Sequence, residues 1–292
     1  MKKITIENLK TNNNTILIDK YKLIFGFNNK YKFMIRNSIK RYFDKDQKTE
    51  YDIEKNIKNN ILLNDRSVDL KNTELFEVNE LYDLKEDIKL GTKSILQRYY
   101  ELLLDKIEYN EIYISIINLL KILEEELDLK LSCENVDLIG EFSELTRKML
   151  VKMIDVTTKK EELIVSPFLL DYDESIIIQL NALKKIAELS PEKEHIVLLN
   201  TPILSNKIYN KIQHDINNLN IIVFTYFLEE NIEVITDNVA IIEKDIYDLQ
   251  NDELLYDISL MLNENMSILE LKEKYINAHI KSISEVVNKK IN

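Results

Sequence analysis

Gly26 and Lys32 stand six positions apart, where an apolar run from Tyr21 to Phe25 gives way to an amphipathic segment reaching Phe43. That is the frame of a phosphate-binding loop, G-x-x-x-x-G-K-[ST], in which backbone N–H groups and a helix N-terminus gather around phosphate. The first glycine and the lysine are in register. The second glycine is Tyr31, and the Ser/Thr that would hold magnesium is Phe33. A tyrosine side chain and its φ restriction oppose close backbone approach to phosphate, and phenylalanine has no oxygen to ligate a cation. Triphosphate hydrolysis also needs an acidic residue at the end of a buried strand to orient magnesium. The run His195 to Leu199 ends in Asn200, Thr201 and Pro202, and Ile221 to Phe227 reaches Leu228 before Glu229. These deficits predict the shape of a nucleotide fold without its chemistry, and hence no enzyme. The competing reading is a chance Gly and Lys in an ordinary strand–helix turn.

Two charge clusters come next. Glu124 to Glu126, Leu127 and Asp128, with Glu134 and Asp137 beyond, place negative charge at a helix C-terminus, where it opposes the macrodipole. Either this is a solvated helix end, or a hard cation such as calcium compensates it. Basic residues gather at Lys30, Lys32, Arg36, Lys40 and Arg41, and again at Arg147, Lys148, Lys152, Lys159 and Lys160 at the end of a third helix. Lys148 and Lys152 are four apart and share a helix face. They read either as ordinary surface lysine or as contacts to duplex phosphates, which need charge but no sequence code. His195, His214 and His279 are scattered without a partner motif, and Cys133 has no histidine near it. No G-x-S-x-G, H-E-x-x-H or C-x-x-C occurs.

The elements that must position these residues follow from composition and period. With 292 residues, 45% hydrophobic and 31% charged, the chain can bury a sizeable core. Three Gly and three Pro argue against an all-β sandwich or barrel, whose turns need them. A net charge of −12 opposes nonspecific binding to nucleic acid or an anionic membrane, although a local basic channel on an acidic body remains compatible. One cysteine implies no internal disulfide and fits a reducing cytoplasm. No apolar run spans a membrane, and the first residues lack the layout of a signal peptide.

Short strands are expected at 1–8, 15–19 and 21–25, then a helix to Phe43 and a mixed polar stretch with apolar islands at 61–63 and 68–70. From Val78 the period becomes helical, with successive amphipathic helices ending near Glu126 and a third over 136–154 (Leu138, Phe142, Leu145, Met149 and Met153 in step). Buried strands at 195–199, 221–227, 234–236 and 239–242 alternate with helices at 175–189 and 204–216, the mark of parallel βαβ units. Helices at 254–262 and 268–291 close the chain, with Ser267 and Glu270 forming a capping box. The expected fold is an α/β head built from 1–77 and 161–245, a helical leg at 78–160 and a helical C-terminal extension at 246–292.

The opening Met-Lys-Lys-Ile-Thr-Ile, the stretch Ile116 to Leu129 with its acidic end, and the βαβ unit His195 to Phe227 resemble the Csn-two family of CRISPR adaptation proteins of type II-A systems. The region after about Asp245 matches its longer subfamily. The resemblance implies an α/β head related to P-loop ATPases but degenerate and without nucleotide activity. It also implies a helical leg and a ring-shaped homotetramer that binds ends of linear double-stranded DNA through a positive channel. The implied partners are the CRISPR integrase proteins and the effector nuclease, in spacer acquisition for antiviral defence. The family binds calcium through carboxylates on and after the acidic helix end. Glu126 and Asp128 match that segment, and Glu134 and Asp137 complete it only with a shift. Lys148 and Lys152 lead the expected DNA contacts, with Lys159, Lys160, Lys30, Lys32 and Arg36. A nucleotide-binding switch of the ATPase class and a protein-interaction scaffold are the alternative functions.

Overall fold

The structure is a computed structural model that describes residues 1–7, 14–44, 60–79, 84–91, 94–127, 129–133, 136–261 and 266–279. It divides into two compact units, one formed by Met1–Tyr82 with Asp171–Asn292 and the other by Asp83–Leu170. Among the described residues no helix is long and apolar enough to cross a membrane.

The first unit is a mixed α/β structure around a six-stranded, mostly parallel sheet. Its strands are β3 (Tyr21–Phe25), β6 (Thr73–Asn79), β11 (Glu194–Asn200), β13 (Asn220–Phe224), β15 (Val239–Ile242) and β16 (Ile246–Asp248), in the order β16-β15-β3-β13-β11-β6. Only β16 runs antiparallel to its neighbour. Every residue of β3 and β15 is buried, as the near-continuous apolar runs of a sheet covered on both faces require. One face carries Ile24, Ile196, Leu198, Ile222 and Ala240 into a core shared with Ile35 and Ile39 of helix α1 (Asn29–Phe43). The same core takes Ile4, Ile16 and Ile61 from a small antiparallel sheet, β2 (Thr15–Ile18), β1 (Lys2–Ile6), β4 (Ile61–Leu63) and β5 (Arg66–Ser67). Helix α6 (Tyr172–Leu189) buries Ile176, Leu180, Leu183 and Ile186 at helical spacing and begins with a capping box of Asp171 and Glu174. A short pair, β12 (Ile203–Leu204) and β14 (Phe227–Leu228), follows β11 and β13. Helices α7 (Asn206–Asn210), α8 (Asp252–Met261) and α9 (Ile268–His279) complete the unit. The Ser267–Glu270 capping box forms at α9: Ser267 N donates to Glu270 and Glu270 N donates to Ser267 Oγ.

The second unit holds α2 (Leu84–Ile88), α3 (Ile95–Leu104), α4 (Asn110–Glu126) and α5 (Arg147–Val151), with hairpins β7 (Lys130–Cys133)–β8 (Val136–Ile139) and β9 (Lys159–Lys160)–β10 (Leu163–Ile164). The continuous third helix expected over 136–154 does not form. Leu138 pairs across the hairpin with Leu131, and Gly140, a poor helix former, donates its N–H back to Leu129 O at 2.9 Å. Helix resumes only after Thr146, whose side chain caps Met149 N at 3.3 Å. Lys159 and Lys160 therefore lie on a strand, not at a helix end.

Three smaller corrections concern the first unit. β6 runs two residues past the expected boundary at 77. Of residues 204–216, Leu204 belongs to β12, and helical structure is limited to the short α7 and a π turn, Lys211–Asp215. The expected strand at 234–236 is coil entering a 3-10 turn, with Ile235 exposed, so it had no apolar face to bury.

Candidate functional site

The strand order places a topological switch beside β3. The chain leaves β3 towards β6 on one side and leaves β13 towards β15 on the other, so these two neighbours diverge at their C-terminal ends. Crevices that take ligands open at such points. Here a cavity of about 310 Å³ lies at the carboxyl ends of β11 and β13 and the first turns of α1.

Gly26 makes the turn into α1. Its φ of +109° suits glycine, and a Cβ would fall 2.1 Å from Ile242 O at the end of β15. Asn28 then caps the helix, accepting Tyr31 N at 3.0 Å on Oδ1, while its amide donates to Glu243 O. The turn's other donors also have partners within the chain: Asn29 N reaches Phe27 O at 3.0 Å, and Lys32 N reaches Asn28 O at 3.0 Å. Three of the N–H groups that a phosphate loop would present, those of Asn29, Tyr31 and Lys32, are thus bonded within the loop itself.

Lys32 is 4% exposed. Its Nζ donates to Thr225 O at 2.8 Å and lies 4.3 Å from the centre of the Tyr226 ring. Burial lowers its pKa to about 8, so the ammonium still predominates at neutral pH. Phe33, at the position of the magnesium-binding hydroxyl, points outward and is 56% exposed. The Arg36 guanidinium lies 6.0 Å from the Phe33 ring centre. Arg36 Nε is 3.8 Å from Glu77 Oε1, beyond hydrogen-bond distance, and is shielded from solvent with no hydrogen-bond partner among the described residues. Glu77 also holds Lys40. At the strand end where magnesium would want an acid, Asn200 faces the cavity, and Thr201 is buried with Oγ1 donating to Ile203 O at 2.8 Å. The lining therefore consists of two cations (Lys32 and Arg36), two amides (Asn29 and Asn200) and the rings of Phe33, Phe224 and Tyr226, with no carboxylate.

Sequence spacing pointed to Lys32, Arg36 and Asn200 but not to their shared cavity. Phe224 and Tyr226 were hidden inside a run read only as a strand. Lys30, next to Asn29 in α1, is exposed and does not line the cavity.

The other sequence-predicted residues belong to the second unit. Lys148, Lys152, Lys159 and Lys160 are all exposed. Lys148 lies in α5 and Lys152 is its C-cap. Among the described residues no carboxylate pairs with Lys148, Lys152 or Lys159, whereas Arg147 is held by Asp105 and Asn110 and lies 5.1 Å from the Tyr113 ring centre. Of the four carboxylates assigned to calcium, Glu126 is exposed at the last turn of α4. Asp128 and Glu134 lie outside the described residues, as does the side chain of Asp137 in β8. Among the described residues no three His, Cys, Asp or Glu side chains converge on a metal position. Of the four, only the Glu126 side chain falls among the described residues.

No protein-family model matches the chain, and no curated protein does. Among solved structures, the crystal structure of Stu0660 of Streptococcus thermophilus is similar, with a TM-score of 0.63 at 17% identity over 91% of this chain and 81% of that one. A likeness at that identity speaks to the fold.

Proposed function

We propose that this chain is a non-catalytic protein that binds the ends of linear double-stranded DNA as an oligomer, in CRISPR spacer acquisition. In this reading the first unit is a degenerate P-loop-type head. Gly26 and Lys32 keep their register because the close approach to Ile242 and the bond to Thr225 need them, not because triphosphate does. The observation that carries the reading is the set of exposed lysines, Lys148, Lys152 and Lys159, that no described carboxylate neutralises on a chain of net charge −12. Uncompensated cations on an acidic protein give a local positive surface, which is what a phosphate backbone requires. Lys30 and Lys160 extend the exposed set, while Lys32 and Arg36 face the cavity. Helix α4 has no buried residue and exposes Ile112, Leu119, Ile122 and Leu123, which suits assembly with further copies.

Fluorescence anisotropy with linear and closed-circular duplex, alongside light scattering, tests this. The linear form should bind more tightly, to an oligomer. The double variant Lys148→Glu and Lys152→Glu should abolish binding at moderate salt while the oligomer persists. Equal affinity for circles, or retained binding by the variant, removes the assignment.

A further inference from the structure

The polar groups around the crevice at the ends of β11 and β13 keep hydrogen-bonding capacity that the fold does not use. The Lys32 ammonium has three donors, and one is taken, by Thr225 O. The Arg36 guanidinium makes no hydrogen bond among the described residues, and its Nε is already desolvated. The Asn29 and Asn200 side-chain amides likewise have no partner among the described residues. A desolvated donor without an acceptor is costly unless something supplies one. Glu77 pairs with Arg36 by charge at 3.8 Å but is shared with Lys40, makes no hydrogen bond to Nε and does not line the cavity. Two cations in a lining without a carboxylate select an oxyanion. Aromatic rings make up the rest of the wall, and Phe33 and Tyr226 keep part of their faces open. Those faces select a planar group for stacking, and the two amides can each offer a donor and an acceptor to its edge.

We propose that this crevice binds a single mononucleotide, with its monophosphate between Lys32 and Arg36 and its base against the Tyr226 and Phe33 rings. The volume, about 310 Å³, sits at the small end of ligand sites. A triphosphate is excluded by the same geometry. Three loop N–H groups, of Asn29, Tyr31 and Lys32, are bonded within the turn and not to phosphate, and neither Phe33 nor Asn200 can bind magnesium as an ion pair. The helix N-terminus thus contributes little, and the site is made by side chains. A free nucleotide and the 5′-terminal residue of a DNA strand present the same phosphate and base. The inference does not depend on the lysines of the second unit.

Isothermal titration calorimetry of the full chain with deoxyadenosine 5′-monophosphate is the test, with inorganic phosphate, deoxyadenosine and magnesium-ATP as comparisons. The monophosphate should bind more tightly than each of them. Arg36→Met should weaken it about tenfold or more, the loss expected for one charge-assisted hydrogen bond. Tyr226→Ala should weaken it separately, with near-native circular dichroism in both variants. Competition by a 5′-phosphorylated single strand, and not by its 5′-hydroxyl counterpart, assigns the site to a strand end; competition by neither assigns it to the free nucleotide. Absence of binding at millimolar monophosphate, equal affinity for inorganic phosphate, or affinity unchanged in Arg36→Met overturns the proposal. Lys148→Glu with Lys152→Glu should leave monophosphate affinity unchanged, so failure of this site and failure of duplex binding are read apart.

Discussion

Two sets of lysines, one in each unit, are treated in opposite ways. In the α/β unit Lys22 is fully buried in the middle of β3, Lys32 is buried against Thr225 O, and Lys272 bridges Asp237 and Asp252, each at 2.9 Å. In the helical unit Lys148, Lys152 and Lys159 stand exposed and unpaired among the described residues. Apolar side chains divide the same way: β3 and β15 bury every residue, whereas α4 buries none. A charge enclosed by its own fold is fixed by partners that cannot leave. A charge left in water is free to meet an outside partner. The contrast fits structural work for the first set and the proposed binding work for the second, with the crevice at the ends of β11 and β13 as the exception inside the α/β unit.

The strongest way to break this comparison is at Lys22. Its Nζ donates to Asp248 Oδ1 at 2.9 Å, Asp237 O at 2.6 Å and Gln250 Oε1 at 3.2 Å, while Asp248 Oδ2 accepts Leu17 N at 2.6 Å. Burial pushes the lysine down and the aspartate up, and their mutual attraction and hydrogen bonds oppose both shifts. Asp248→Ala leaves an enclosed ammonium without its counter-charge and Leu17 N without an acceptor. The expected loss is about 3–5 kcal/mol in urea unfolding, and Lys22→Met added to it should recover part of that. A loss below about 1 kcal/mol would mean that the pair is hydrated, and the burial contrast would fail.

Lys32 sharpens the comparison through pH. Its folded pKa, about 8, lies below its ordinary 10.5. Between those values the unfolded chain holds a proton that the folded chain has released. Stability from this group therefore rises with pH through that window, by at most about 1.4 kcal/mol per pH unit, and the penalty for enclosing the charge is fully present below pH 8. The difference in unfolding free energy between the parent and Lys32→Met should grow in the parent's favour from about pH 8 to 10.5 and stay flat from 6 to 7. A flat difference throughout would mean that the Thr225 carbonyl and the Tyr226 ring hold the proton as firmly as water does.

What could be read in the sequence tracks the range of the interactions involved. The parallel strands were legible because burial on both faces leaves continuous apolar runs at 195–199 and 239–242. Lys22 was not, since a single charge in such a run gives no sign that Asp248, 226 positions away, will meet it. Gly26 and Lys32 were legible as spacing, yet their structural partners, Ile242 O and Thr225 O, come from strands that only the folded sheet brings alongside. The crevice was half legible for the same reason, with its cations local to α1 and its aromatic wall supplied from the end of β13. The misread helix over 136–154 shows the opposite failure. Leu138, Phe142, Leu145, Met149 and Met153 step at helical spacing, but all except Leu145 are exposed, so nothing in the described fold rewards that periodicity.

The smallest expected effect concerns the turn beside Lys159 and Lys160. Two hairpins have both central residues in the left-handed region, Asn64-Asp65 (φ 52° and 62°) in the α/β unit and Glu161-Glu162 (φ 51° and 66°) in the helical unit. Asn and Asp tolerate that region, and Asn64 Oδ1 also accepts Lys3 N at 2.9 Å. Glutamate has no such local bond, so the second turn carries strain of about 1–2 kcal/mol per residue at most. Replacing Glu161 by Asn and Glu162 by Gly should raise stability by about 1 kcal/mol, offset in part by the added freedom of glycine in the unfolded chain. Glu161→Gln with Glu162→Gln controls for charge. If both double variants stabilise equally, like-charge repulsion rather than backbone conformation was the cost. If both also tighten duplex binding by a similar small factor, Lys159 is working against its own neighbours, and the cationic surface of the helical unit is held below the charge its lysines could present.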